Sequence, residues 1–202
     1  MVISDLGIKG YKIYKEAITT ISIEEAVENM RDKESFVSIE SIDQDFLNAM
    51  VAVEDHRFYQ HGAVDSIGIA RAVLTNIVKG ELVQGGSSIT QQLAKNMYFT
   101  YEQTLIRKIA ELMVAIDLEE KYSKEEILEL YVNGIYFGNG CYGIGEASEY
   151  FLGKGPEDLT IEESALLAGL PQSPSRYAKN QALASKRQQV VLMAMKENGY
   201  YE

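Results

Sequence analysis

Two glutamates stand where a carboxylate could move a proton. Leu47, Met50 and Val51 mark one apolar stripe at helical spacing, and Glu54, seven residues after Leu47, is the next position on it. A carboxylate desolvated there would resist ionisation, and the raised pKa is what a general acid or base needs near neutral pH. If the helix stops at Ala52 or Val53, Glu54 points to solvent instead, and the pattern leaves the two readings even. The second glutamate lies in Arg107-Lys108-Ile109-Ala110-Glu111. Leu105, Ile109, Leu112 and Ile116 form the expected buried face, which leaves Glu111 off it beside Arg107 at i−4 and Lys108 at i−3. Those neighbours would keep the carboxylate ionised and leave cations free to meet a phosphate. An ordinary exposed ion-pair face, worth little, has the same spacing. One carboxylate in apolar surroundings and one among cations is how glycosyl-transfer sites divide their labour.

Between them runs Gly85-Gly86-Ser87-Ser88-Ile89-Thr90-Gln91-Gln92-Leu93-Ala94-Lys95-Asn96, a glycine turn followed by hydroxyls, amides and a cation. Ser88, Gln91, Gln92 and Lys95 fall three or four apart and can line one helix face, with the helix N-terminus adding positive potential. Such a face suits sugar hydroxyls and phosphate oxygens; a solvated polar helix reads the same way. Met97, Tyr98, Phe99 and Tyr101 follow, a cluster that is core more often than membrane contact.

These side chains need helices to hold them. Four stretches place Ser or Thr three residues before Glu or Gln, the box that satisfies the free amides of a helix start: Ser22 to Glu25, Ser41 to Gln44, Ser123 to Glu126 and Thr160 to Glu163. Ile67 to Lys79 and Leu105 to Leu118 repeat the same three-and-four apolar spacing, and sustained two-residue alternation is hard to find. The expected class is mainly α. The three prolines all lie between residues 156 and 174, no linker composition divides the chain, and no repeat shows itself, so residues 1–202 read as a single domain.

The chain has 202 residues and a formal net charge of −11, with 46% hydrophobic and 24% charged residues. That is the composition of a globular chain, and its sign rules out nucleic acid as the default partner. The longest stretch without a charge, Leu130 to Gly145, carries five glycines and two asparagines and is unsuited to spanning a membrane. No secretory signal pattern opens the sequence. The lone Cys141 can build neither an internal disulfide nor a thiolate metal site.

Three motifs are rejected. Gly138-Asn-Gly140-Cys-Tyr-Gly143 matches a dinucleotide fingerprint in letters, yet the segment before it, Glu125 to Tyr131, reads as a capped helix and not as a strand. Gly85-Gly86-Ser87-Ser88 lacks the Gly-Lys-Ser/Thr of a phosphate-binding loop. His56 and His61 are five apart, not at the helical ligand spacing of a zinc site.

Taken together, five segments resemble glycosyltransferase family 51, the peptidoglycan glycosyltransferase domain of monofunctional enzymes and of class A penicillin-binding proteins. Glu54-Asp55-His-Arg-Phe58-Tyr-Gln-His61 is similar to the family's first motif, Gly86-Ser-Ser-Ile-Thr-Gln-Gln92 to the second and Arg107-Lys108-Ile-Ala-Glu111 to the third. Lys124-Glu-Glu-Ile-Leu-Glu129-Leu-Tyr131-Val-Asn133 resembles the fourth, and Tyr142-Gly143 through Tyr150-Phe-Leu-Gly-Lys154 the fifth. The motifs stand in family order across roughly residues 40 to 180.

The resemblance implies a lysozyme-like helical head lobe and a smaller, membrane-facing jaw lobe within about residues 64–105. It implies lipid II and the growing glycan chain as substrates, polymerised into β-1,4-linked chains with inversion and release of undecaprenyl diphosphate. The residue matching Glu54 would deprotonate the acceptor 4-hydroxyl, that matching Glu111 would assist, and Lys95, Arg107 and Lys108 would neutralise the departing diphosphate. Asp55, Phe58, His61, Ser88, Thr90, Gln91, Gln92, Asn96 and Tyr136 complete the expected substrate-binding set. No cofactor is obligatory on this reading; a divalent cation, magnesium or manganese, could bridge Glu54 or Asp55 to diphosphate, and the three cations could make it dispensable. The sequence departs from the family at Gly62-Ala63 and at Ser88, where Thr is usual.

A net charge of −11 would be repelled by anionic lipid. The expectation is therefore an N-terminal membrane helix outside this sequence, activity on the outer face of the cytoplasmic membrane, and cell-wall synthesis proteins as candidate partners. No Ser-x-x-Lys occurs, so the acylating motif of a transpeptidase is missing. Two other functions share these residues: a lysozyme-like hydrolase or lytic transglycosylase with Glu54 as general acid, and a non-catalytic module that binds lipid II. A hydrolase has no diphosphate to neutralise, so the cations favour a transferase.

Overall fold

The computed structural model describes residues 2–68, 70, 86–99 and 104–201. Helices dominate, as the sequence implies: α1 (Val2–Thr20), α2 (Ile23–Arg31), α3 (Gln44–Glu54), α4 (Ile89–Tyr98), α5 (Leu105–Lys121), α6 (Lys124–Gly134), α7 (Ile144–Leu152), α8 (Ile161–Gly169), α9 (Pro174–Tyr177) and α10 (Gln181–Glu197). The strands among the described residues are β1 (Tyr136–Gly138) and β2 (Cys141–Tyr142), an antiparallel pair. The rejected dinucleotide fingerprint is this hairpin's turn, with Asn139 at φ 51° and Gly140 at φ 91°. Most of the helix expected over Ile67–Lys79, together with Gly85, Tyr101 and about half of the expected jaw segment, lies outside the described residues.

Three of the four expected helix starts form. The Ser22 hydroxyl accepts from Glu25 N at 3.1 Å. Ser123 and Glu126 satisfy each other's amides at 3.2 and 2.9 Å, and Thr160 with Glu163 completes a capping box. The fourth is corrected. Ser41 ends a 3-10 turn over Ile39–Ser41, and α3 is capped by Asp43, whose carboxylate accepts from Asp45 N at 2.8 Å.

The chain folds into two compact units that interleave in sequence: residues 1–26 with 57–127, and residues 27–56 with 128–202. Because each unit is assembled from two separated pieces, no linker marks the division. In the first unit, α5 packs against α1 and α4. A Cβ on Gly10 would lie 2.6 Å from Ile109 Cγ2, so glycine permits the close approach of α1 to α5. In the second unit, α3, α8 and α10 pack pairwise over a core that includes Phe46, Met50, Leu167, Ala168, Val191 and Met195. Phe46 and Phe137 meet there with ring centroids 6.4 Å apart.

Candidate active site

The second carboxylate is buried, and this overturns the face expected for its helix. Along α5 the buried residues are Ala110, Glu111, Val114, Ala115 and Leu118, whereas Leu105 is 72% and Ile116 43% exposed. Alanine and valine allow a neighbouring helix to approach closely, where the larger side chains would hold it off. Glu111 is 1% exposed and ion-paired to both neighbours, Arg107 Nε at 2.7 Å and Lys108 Nζ at 2.9 Å. The two cations stand where burial has removed water from the carboxylate, and two cations around one carboxylate give the cluster a net positive formal charge. Arg107 is largely covered, while the Lys108 side chain is 43% exposed and also donates to Ser87 Oγ at 2.8 Å.

The polar face expected along α4 is divided by the fold. Ser88 caps the helix, its Oγ accepting from Gln91 N at 3.2 Å and donating to Ala63 O at 3.1 Å. Gln91 donates through Nε2 to the same carbonyl at 2.9 Å. Thr90 is fully buried, and its hydroxyl donates to Glu119 Oε1 at 2.5 Å. Ser88, Thr90 and Gln91 are thus spent on the protein's own interior, and Gln92, Lys95 and Asn96 keep solvent access. The reason is geometric: neighbours four apart share a face, but Thr90 and Gln91 sit in the first turn, where a chain segment lies over the helix start.

That segment begins at Arg57. Phe58 is fully buried, with Lys124 Nζ 4.3 Å from its ring centroid. Arg57 Nε lies 3.3 Å from Asp65 Oδ2, and His61 Nδ1 donates to Gly62 O at 2.6 Å. Burial alone would push the Asp65 carboxyl up; the Gly68 and Ile67 amides with Arg57 and His61 outweigh it and hold it below the usual carboxylate range.

The first carboxylate belongs to the other unit. Helix α3 runs through Glu54, so it does not end at Ala52 or Val53, and Glu54 is half-buried at its last position. Asp55, 8% exposed, caps the helix and donates its amide to Val51 O at 3.0 Å. Tyr131 of α6 is fully buried, and burial, then the charges of Glu54 and Asp55, pushes its phenol well above the ordinary value. A phenol that keeps its proton is a fixed neutral neighbour for these carboxylates. Tyr136 stacks at 4.8 Å on Tyr142 across the hairpin and accepts from Gly140 N at 3.3 Å. On α6, Asn133 accepts from Val37 N at 2.8 Å and donates to Val37 O at 2.8 Å and Glu129 O at 2.9 Å, while Glu129 accepts from Ile39 N at 3.0 Å. These bonds pin the chain that leads into α3.

A family model described as transglycosylase matches residues 19–196. The chain belongs to the transglycosylase family. It is 45% identical over 170 residues to penicillin-binding protein 1F of Bacillus subtilis (strain 168), covering 81% of this chain and 23% of that protein. Penicillin-binding protein 1A of Aquifex aeolicus (strain VF5) is also 45% identical over 170 residues, covering 83% of this chain and 23% of its own length. Penicillin-binding protein 1A of Escherichia coli (strain K12) is 44% identical over 168 residues, covering 81% and 20%. The transglycosylase chain therefore spans about a fifth to a quarter of the curated relatives it matches. The matches bear out the resemblance to peptidoglycan glycosyltransferases read from the motifs. Among the described residues, no helix is long and apolar enough to cross a membrane.

Sequence reasoning missed Ser87 as the Lys108 partner and the Glu119–Lys124 pair. Glu119 and Lys124 stand on either side of a helix break, where helical spacing gives no signal.

Proposed function

We propose that this transglycosylase polymerises lipid II into β-1,4-linked glycan on the outer face of the cytoplasmic membrane, releasing undecaprenyl diphosphate with inversion. The observation that carries it is Glu111, buried between Arg107 and Lys108 in a cluster of net positive charge. A diphosphate leaving group needs such a cluster; hydrolysis of a glycan, which releases a sugar hydroxyl, does not. Lys108 and the partly exposed Lys95 are the accessible cations for the diphosphate. Glu54 takes the proton of the acceptor 4-hydroxyl as that oxygen attacks the anomeric carbon of the growing chain, and Glu111 holds the cations in place. Asp55, Phe58 and His61 are assigned to substrate binding, with Gln92, Asn96 and Tyr136 on the sugars. A jaw within residues 64–105 meets the membrane surface.

The test is polymerisation of fluorescent lipid II in detergent by the parent and by Glu54→Gln, with muramidase digestion of the product. Muramidase-sensitive polymer from the parent and none from the variant is the expected result. Binding of lipid II by both with turnover by neither would leave a binding module instead.

A further inference from the structure

Helix α5 ends at Lys121, and α6 restarts at Lys124 after the capping Ser123. This break folds Lys124 back onto the last turns of α5, where its Nζ donates to Glu119 Oε1 at 2.7 Å. The same oxygen accepts the hydroxyl of the fully buried Thr90 at 2.5 Å. The ammonium also lies 4.3 Å over the ring of the fully buried Phe58. The Lys124 and Glu119 side chains are only 19% and 14% exposed, so water screens the pair weakly. One cation therefore joins the turn that begins at Phe58, the first turn of α4 and the end of α5. The far end of the Phe58 segment is tied to the same helix start, since Ser88 and Gln91 both donate to Ala63 O.

We propose that Lys124 is a positioning residue: through Glu119 and Thr90, and through the Phe58 ring, it sets the rotation of α4 about its own axis. With Ser88, Thr90 and Gln91 turned inward by these tethers, Gln92, Lys95 and Asn96 are directed to the accessible side. Lys124 spends its charge on Glu119 and Phe58, and its influence reaches the reaction through α4. This rests on the polymerase reading above, and a small misplacement of binding groups is enough to slow a reaction by one or two orders of magnitude.

The test compares the parent with Lys124→Met, Lys124→Arg and Glu119→Gln in lipid II polymerisation and in native-state hydrogen exchange. Lys124→Met is expected to lower kcat about tenfold with KM for lipid II changed less than about twofold, and Lys124→Arg, which keeps the cation, to recover most of the loss. Amides of residues 86–95 are expected to exchange about tenfold faster in Lys124→Met while those of 105–118 keep the parental rate. Parental kcat with parental exchange in Lys124→Met overturns the proposal. Equal acceleration in both segments also overturns it, because a general loss of stability would then be the whole effect. Should Lys124→Met fail to fold, Glu119→Gln, which removes the charge but keeps an acceptor for Thr90, carries the same two measurements. A parent that makes no polymer refutes the function and leaves the exchange comparison to decide the tether.

Discussion

Lys108 donates to the hydroxyl of Ser87 at 2.8 Å, so a cation paired with Glu111 on α5 also holds the residue just ahead of the α4 cap. Arg107, on the other side of the same carboxylate, is covered where Lys108 is half in water. The two cations are therefore unequal. Arg107 faces the buried carboxylate from a covered position, and Lys108 stays open to solvent beside the Ser87 hydroxyl.

That inequality separates stability from activity. Arg107→Met is expected to cost about 2–3 kcal/mol in urea unfolding, since Glu111 then keeps only an exposed partner. Lys108→Met should cost about 1 kcal/mol or less, because a half-exposed ion pair contributes little, yet should slow polymerisation at least as much as Arg107→Met. Comparable stability losses in the two variants would contradict the assignment.

Asn133 uses its whole amide within the second unit, two bonds to Val37 and one to Glu129 O. Asn133→Leu strands the part-buried Val37 amide and carbonyl. A loss of about 2–4 kcal/mol is expected in denaturant unfolding, with the chain before α3 cleaved faster by a protease.

Gly143 sits at φ 84°, and a Cβ there would lie 2.6 Å from the Asn133 carbonyl oxygen. Gly143→Ala meets backbone strain and a backbone clash together, so at least about 2 kcal/mol should be lost on thermal unfolding. Gly140→Ala, at φ 91° with open space around it, meets the strain alone and should cost less.

The Tyr14 phenol donates to Asp117 Oδ2 at 2.6 Å, and burial, then that bond and charge, pushes its pKa from 10.0 to about 12. An acid whose folded pKa is raised holds its proton longer folded than unfolded. Its contribution is complete below pH 10 and is lost as pH rises from 10 to 12. Tyr14→Phe should flatten the fall of stability across that window in urea titrations, leaving the acid limb unchanged.

How far the sequence could be read depended on the distance between partners. The boxes at Ser22, Ser123 and Thr160 were legible because donor and acceptor lie three residues apart on one helix start. Ser41 was misleading because a second short turn competes for the same hydroxyl residue, and Asp43 is nearer the first free amides. The expected face of α5 was misplaced at Leu105 and Ile116, though Ile109 meets α1 at Gly10, for a different reason. Both sides of that helix carry apolar residues, and periodicity ranks them by size, whereas the neighbouring helices select small side chains for close contact.

The sequence by itself determines the helical class, most helix starts, the net charge and the ordered motifs that mark a transglycosylase, because each depends on residues within a few turns of one another. Only the tertiary structure decides which groups remain available for chemistry. Thr90 is committed to Glu119 from 29 residues away, and Asn133 to Val37 from 96. Glu111 is buried in a helix that packs against α1 and α4, with Arg107 and Lys108 supplying the charge that water no longer can.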